Sequence, residues 1–162
     1  MTAKVKKTAE QDIKANERKW GKLLMDAGWT AFPSIILEKQ HALGLTAMDV
    51  NIILYLSTHW WEAERKPYPS KKTIAQALGV TPRTIQKRIA SLEQMGFVKR
   101  EYRPHELKGN DTNVYDFSGL IEATEPFAQE KLEEKAAAQE AKKARKSRVK
   151  PKLKGIDGGK KR

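Results

Sequence analysis

The segment SKKTIAQALGVTPRTIQKRIASLEQM, residues 70–95, decides the fold of this 162-residue chain. Ser70 precedes a helical pattern that ends at Gly79, and Thr81 with Pro82 opens a second one. Serine and threonine are favoured helix caps, proline is tolerated at a first helical position, and glycine permits a tight turn. The segment therefore predicts two helices joined by a short turn.

The second helix of this pair has one apolar face and one polar face. Ile85, Ile89 and Leu92 recur at i, i+4 and i+7, the spacing of a buried helical stripe. At about 100° per residue, Arg83 and Lys87 lie nearly opposite that stripe. We therefore expect both cations to point into solvent.

A β-hairpin is expected directly after the helices. Residues 97–103 and 113–117 are strand-like, and the polar loop PHELKGNDT between them is rich in turn formers. The predicted fold is mainly α (α+β): a winged helix-turn-helix with a small β-hairpin wing, an added N-terminal helix and a basic C-terminal tail.

The remaining segments are predicted from caps and apolar spacing. An N-terminal amphipathic helix over 9–27 would begin after a capping box at Thr8 and either pack on the main domain or pair with a second copy. We expect a short helix over 34–41 and a central, largely apolar helix from Thr46 to about Trp61. A solvated charged helix would begin at Thr124, with Pro126 near its start. The expected organisation is 1–29 N-terminal helix, 30–120 winged helix-turn-helix, 121–146 charged helix and 147–162 disordered basic tail.

Positive charge is concentrated in two parts of the chain. The net charge is +12, with eight Lys/Arg against two Asp/Glu in residues 70–104 and eleven against one in 142–162. Such patches favour a polyanionic partner or a membrane surface. No apolar run is long enough to span a membrane, and the first twelve residues have no apolar core typical of a secretory signal. We therefore expect a cytoplasmic, nucleoid-associated protein without membrane association.

The sequence offers little that indicates catalysis. There is no cysteine, and His41, His59 and His105 are isolated from paired acids. No phosphate-binding loop motif occurs. We therefore expect no enzyme activity, no cofactor, no metal ion and no small-molecule ligand. Trp60 and Trp61 could stack on bases, but at the end of the most apolar helix core packing is the favoured interpretation.

Candidate DNA contacts follow from side-chain chemistry and position. Arg and Lys suit guanine, Gln suits adenine, and Thr serves several partners. The base-contacting candidates are Arg83, Thr84, Gln86 and Lys87. The backbone-contacting candidates are Ser70, Lys71, Lys72, Thr81, Arg88, Lys99, Arg100, Arg103, Lys108 and Asn110.

The segments YPSKKTIAQALGVTPRTIQKRIASLEQMGFVKR and NVYDFSGL, residues 68–100 and 113–120, resemble a known family. They are similar to the winged helix-turn-helix domains of bacterial, phage and plasmid regulators and replication proteins, over about residues 30–120. The resemblance implies a second helix in the major groove, with base contacts from its N-terminal half and backbone or minor-groove contacts from the wing.

Three functions are compatible with these features. The first is sequence-specific binding of double-stranded DNA, by a transcriptional regulator or by a replication initiation or accessory protein of a plasmid or phage. Palindromic sites would require a homodimer, for which the N-terminal helix is the candidate contact. The second is a winged-helix protein–protein adaptor whose tail binds nucleic acid loosely. The third is RNA binding through the tail and wing.

Overall fold

The computed structural model describes residues 3–101, 104–105, 109–110 and 113–147, with side chains described for 11–101 and 113–146. These residues form helices and a few short strands. The helices are α1 (Ala3–Trp20), α2 (Lys22–Ala27), α3 (Ser34–Glu38), α4 (Ala47–Ser57), α5 (Lys71–Leu78), α6 (Pro82–Gln94) and α7 (Ser118–Ser147). The strands are β1 (Lys99–Glu101), β2 (Pro104–His105), β3 (Gly109–Asn110) and β4 (Val114–Asp116). The mainly helical fold with a small hairpin is confirmed.

Both helices of the 70–95 segment start at the predicted caps, and the first ends at the predicted glycine. The Ser70 hydroxyl accepts the N–H of Thr73 at 3.1 Å, which caps α5. Gly79 ends α5 with φ 66°, a left-handed conformation that favours glycine. The Thr81 hydroxyl caps α6, whose first residue is Pro82. The turn is therefore fixed by local chemistry at each of its ends.

The core forms where α4 contacts α5 and α6. From α4 it takes Ile52, Ile53 and Leu56, all at most 2% exposed, and from α5 Ile74 and Ala75. The α6 stripe of Ile85, Ile89 and Leu92 is fully buried, as its spacing predicts. Fully burying a side chain of this size contributes about 1.5–3 kcal/mol, so the stripe holds α6 with its opposite face outward.

The hairpin is antiparallel and shorter than predicted. Strand β1 pairs with β4 so that Arg100 lies opposite Tyr115, and β2 pairs with β3. Phe97 and Val98, expected to begin the first strand, instead precede it and are buried. Tyr115 is only 1% exposed. The base of the wing is therefore part of the core.

The N-terminal segment differs from the predicted single helix. It is helical from Ala3, so Thr8 lies within α1 and is not a cap. The helix breaks at Gly21, where φ is 85°, and α2 has no buried residue. Leu23 and Leu24 are 83% and 58% exposed, so the interpretation that this face packs on the main domain is wrong for these residues.

Helix α7 begins six residues before the predicted start at Thr124. The Ser118 N–H donates to the Asp116 carboxylate at 2.8 Å, which satisfies a free donor at the helix start. Pro126 lies inside the helix, where a proline removes one backbone hydrogen bond. Side chains 129–146 are exposed, as expected for a solvated helix. The described residues divide into two compact units between Thr124 and Glu125.

Gly119 lies against the backbone of the turn after α6. A methyl group at Gly119 would come within 1.9 Å of the Gly96 carbonyl oxygen. We expect Gly119→Ala to lower the free energy of unfolding by about 2 kcal/mol, because backbone must move to admit the methyl group. Equilibrium unfolding in urea measures this loss.

Gly79→Ala is the matched control for Gly119→Ala. A methyl group there meets no atom within 4 Å, so the only cost is the left-handed φ, about 1 kcal/mol. A Gly119→Ala loss no larger than that of Gly79→Ala would contradict the close approach.

Candidate nucleic-acid interface

The outward face of α6 carries three exposed polar side chains near its N-terminal end. Arg83, Gln86 and Lys87 are exposed, while the opposite stripe is fully buried. The predicted outward direction of Arg83 and Lys87 is confirmed. Guanidinium, amide and ammonium groups are the groups that pair with base edges in the major groove. That these residues contact bases stays a prediction.

Thr84 has a visible role within the helix start. It is half-buried, its N–H donates to the Thr81 hydroxyl at 3.2 Å, and the two hydroxyls lie 2.9 Å apart. Both threonines therefore stabilise the first turn of α6. Their predicted DNA contacts would add to this capping role.

The start of α5 lies beside the outward face of α6. The Lys71 ammonium donates to the Gln86 side-chain oxygen at 3.4 Å. Lys72 is exposed next to it, and the Ser70 and Thr73 hydroxyls lie 2.7 Å apart. The contact joins one predicted base-contacting residue to one predicted backbone-contacting residue. Lys71 and Gln86 therefore lie on one continuous surface.

Arg88 does not belong to that surface. Its Nε donates to Asp49 Oδ1 at 2.8 Å, and its Nη2 donates to Asp49 Oδ2 and to the Thr46 hydroxyl. The Asp49 side chain is fully buried at the start of α4. The prediction that Arg88 contacts the DNA backbone is therefore disfavoured, because its guanidinium holds α6 against α4.

The Asp49 carboxylate is held ionised by its neighbours. Burial alone would raise the pKa of Asp49, but hydrogen bonds from Arg88 and Thr46 outweigh it, and the pKa lies below its ordinary value. The same hydrogen bond to Asp49 raises the pKa of Arg88. Both groups remain charged at neutral pH, and the ion pair connects the core helix to α6.

Arg100 is also engaged within the domain. Its guanidinium makes a bidentate pair with Glu93 near the end of α6, at 2.7 Å from Nε and 2.5 Å from Nη2. Both side chains are less than 30% exposed. The prediction of a backbone contact by Arg100 is disfavoured for the same reason as for Arg88. The pair ties the first wing strand to α6.

The other wing candidates differ in how far the structure describes them. Lys99 is exposed at the start of β1. Arg103 and Lys108 lie outside the described residues. Asn110 lies in β3, paired opposite Pro104, and only its backbone is described. The predicted DNA contacts of these four residues stay predictions.

Metal-binding and membrane-spanning features are absent from the described part of the chain. Within the described residues, no group of three histidine or acidic side chains is arranged to hold a metal ion. No helix in the described ranges is long and apolar enough to cross a membrane.

Part of the chain is similar to a known family of domains. No curated protein matches the chain. Among solved structures, one described as the crystal structure of transcriptional regulator PA3341 is similar, at 20% identity and a TM-score of 0.38. The match covers 67% of this chain and 81% of that one. Residues 43–98 match the family described as helix-turn-helix domain. This range begins just before α4 and ends where the wing begins, so the part of the chain that is similar to this family contains α4, α5 and α6.

Proposed function

We propose that this protein binds double-stranded DNA in a sequence-specific manner and regulates transcription, with α6 in the major groove and the wing on the backbone or minor groove. The supporting observation is that α6 has one buried face and one exposed, polar face. One face is fixed by three buried aliphatic side chains, and the other presents Arg83, Gln86 and Lys87 to solvent. A helix-turn-helix reads base edges with the N-terminal part of its second helix.

The surface charge supports the same orientation. Arg88 and Arg100 are neutralised by Asp49 and Glu93. The cations that stay on the surface of the helix pair and first strand are Lys71, Lys72, Arg83, Lys87 and Lys99. Lysines at the start of α5 are placed for phosphates, since the first helix of the motif crosses the DNA backbone. The side chains proposed to contact bases and those proposed to contact phosphates therefore lie on neighbouring elements.

The test is selection of bound sequences from a pool of random duplexes. We expect enrichment of one motif, and binding to that motif much tighter than to an unrelated duplex. A palindromic motif would indicate a homodimer, for which the exposed side chains of α1 and α2 are the proposed contact. Equal binding to every duplex, or tighter binding to RNA, would contradict the proposal. The absence of any nucleic-acid binding would favour the adaptor function.

We expect that deleting residues 142–162 reduces the salt dependence of DNA binding. The segment contributes eleven Lys/Arg and one Asp. Each phosphate that the protein neutralises releases counterions and makes the slope of log K against log salt steeper. We therefore expect the slope to become shallower by about 0.9 for every phosphate contact that the deletion removes. Binding titrations at several salt concentrations measure the slope, and an unchanged slope would remove the tail from the interface.

A further inference from the structure

Two adjacent tryptophans after α4 have opposite environments. Trp60 is half-buried and packs on Phe117, with ring centroids 5.9 Å apart. Trp61 is 74% exposed. The interpretation of core packing is therefore right for Trp60 and wrong for Trp61. A single exposed ring is common on protein surfaces, so the groups around Trp61 decide whether it belongs to a binding surface.

The segment between Trp61 and α5 is anchored to the wing. Lys66 donates to Asp116 at 2.8 Å and to Glu101 at 2.9 Å, and the Pro67 carbonyl accepts the Tyr115 N–H at 2.9 Å. The anchoring contacts thus come from both strands at the base of the wing. A segment held in this way loses little conformational entropy when its side chains bind a ligand.

Tyr68 projects from this anchored segment beside Trp61. It is 55% exposed, although Pro67 and Pro69 on either side are buried. Both rings line a cleft of about 560 Å³, together with His59, Pro69, Ser70 and Thr73. Trp61 also lines a neighbouring cleft of about 330 Å³ that contains Trp29. The surface therefore offers aromatic faces on both sides of Trp61.

The aromatic cleft opens at the start of α5. Ser70 and Thr73, the capping pair of that helix, form its polar side, and Lys71 and Lys72 follow Ser70 directly. In the proposed DNA complex a phosphate backbone passes this point. A nucleotide next to that phosphate would have its base within reach of the rings. Aromatic rings beside a positively charged backbone track are the arrangement that binds unpaired bases.

Acidic side chains near the cleft do not cancel the positive charge of the two lysines at the start of α5. Glu62 follows Trp61, and its carboxylate lies 3.9 Å from the Arg65 guanidinium. Glu64 is a second exposed acid, and Lys66 is paired with the wing. A protein partner would also bind exposed aromatic rings, but the two lysines at the start of α5 favour a polyanion.

We propose that the cleft between Trp61 and Tyr68 binds an unpaired nucleotide that adjoins the duplex, with its base stacked on one or both rings. The inference rests on the proposed function and extends it from duplex DNA to a junction of duplex and single strand. A base within intact B-form DNA is stacked on its neighbours and cannot enter the cleft. The preferred substrate is therefore duplex DNA with a single-stranded extension or a locally opened end.

The test compares blunt duplexes that carry the selected motif with the same duplexes bearing a single-stranded extension of about six nucleotides. The extension is placed on either strand at either end, and the full chain is used throughout. We expect one extension to tighten binding about tenfold, within the range measured for stacking of a base on an aromatic ring. Trp61→Ala and Tyr68→Ala are each expected to reduce this gain strongly, and blunt-duplex affinity stays unchanged.

Two further variants serve as controls. Trp61→Phe keeps an aromatic face and is expected to keep most of the gain. Leu37→Ala removes another exposed apolar side chain, on α3 and outside the cleft, and is expected to behave as the parent protein. The inference is overturned if no extension tightens binding, or if the gain persists in both alanine variants. If the blunt duplex itself is not bound, the proposed function fails and this inference fails with it.

Discussion

Replacing Asp49 by alanine is expected to lower the free energy of unfolding by about 3 kcal/mol, the lower end of the range for removing one partner of a buried ion pair. Asp49 is fully buried and receives hydrogen bonds from Arg88 and from Thr46. Its loss leaves the Arg88 guanidinium, which is 29% exposed, without its carboxylate. It also removes the carboxylate half of the capping box at the start of α4. Equilibrium unfolding in urea measures the loss.

Three variants separate the ion pair from the cap. Thr46→Ala removes the capping hydroxyl but keeps both charges, and costs about 1 kcal/mol. Arg88→Met leaves the Asp49 charge buried, and the Asp49→Ala/Arg88→Met double variant removes the pair. We expect the double variant to be clearly less destabilised than the sum of the two single variants. Additive losses would show that the two side chains do not interact.

The contribution of Asp49 also depends on pH. Its pKa is depressed in the folded protein, so its stabilisation is present above the unfolded-state value of about 3.9 and is lost as the pH falls through the folded pKa. The stability difference between the parent protein and Asp49→Asn is therefore expected to be constant at neutral pH and to shrink below about pH 4. A difference that grows on acidification would have the wrong sign.

Arg83→Ala and Lys87→Ala are each expected to weaken binding to the selected motif by about 1–3 kcal/mol while sparing binding to unrelated duplexes. Both side chains are exposed on α6, one turn apart, so truncation should not disturb the buried stripe. Removing a base contact reduces the affinity for one sequence, because phosphate contacts supply most non-specific binding. Fluorescence anisotropy measures the affinity for the selected duplex and for an unrelated duplex, and the ratio of the two is compared between variants.

Two matched lysine variants show whether this loss is specific to α6. Lys99→Ala removes an exposed cation from the wing, and it should weaken both duplexes by the same factor. Lys135→Ala, on α7, should leave both affinities unchanged. If Arg83→Ala and Lys87→Ala lowered every affinity equally, α6 would be a phosphate contact and would not read the sequence.

Local chemistry made most of the helix-turn-helix predictable. Caps at Ser70 and Thr81, the glycine turn and the aliphatic repeat on α6 each depend on residues close in sequence, and all agree with one fold. The outward direction of Arg83 and Lys87 followed from the same repeat. These features therefore did not require knowledge of tertiary contacts.

Long-range partners were not predictable in the same way. Thr46 and Asp49 show the spacing of a helix start, but nothing in the sequence pairs Asp49 with Arg88, 39 residues later. Arg100 and Glu93 are closer in sequence, yet they meet because the chain turns between α6 and β1. In each pair an arginine that was predicted to contact DNA from its residue type is instead bound to a carboxylate within the domain. The exposure of Trp61 was not predicted because α4 was expected to continue to that residue. The helix ends at Ser57, and the segment after it is held by long-range contacts with the wing.

The most direct test of the central claim is methylation interference on the selected duplex, because a methyl group on guanine N7 blocks contacts in the major groove. For the parent protein, methylation at one or more guanines of the motif should prevent binding. Arg83→Ala or Lys87→Ala should lose this sensitivity at a particular guanine and keep it at the others. If interference were absent from the motif, or unchanged in both variants, α6 would not read the major groove through these residues.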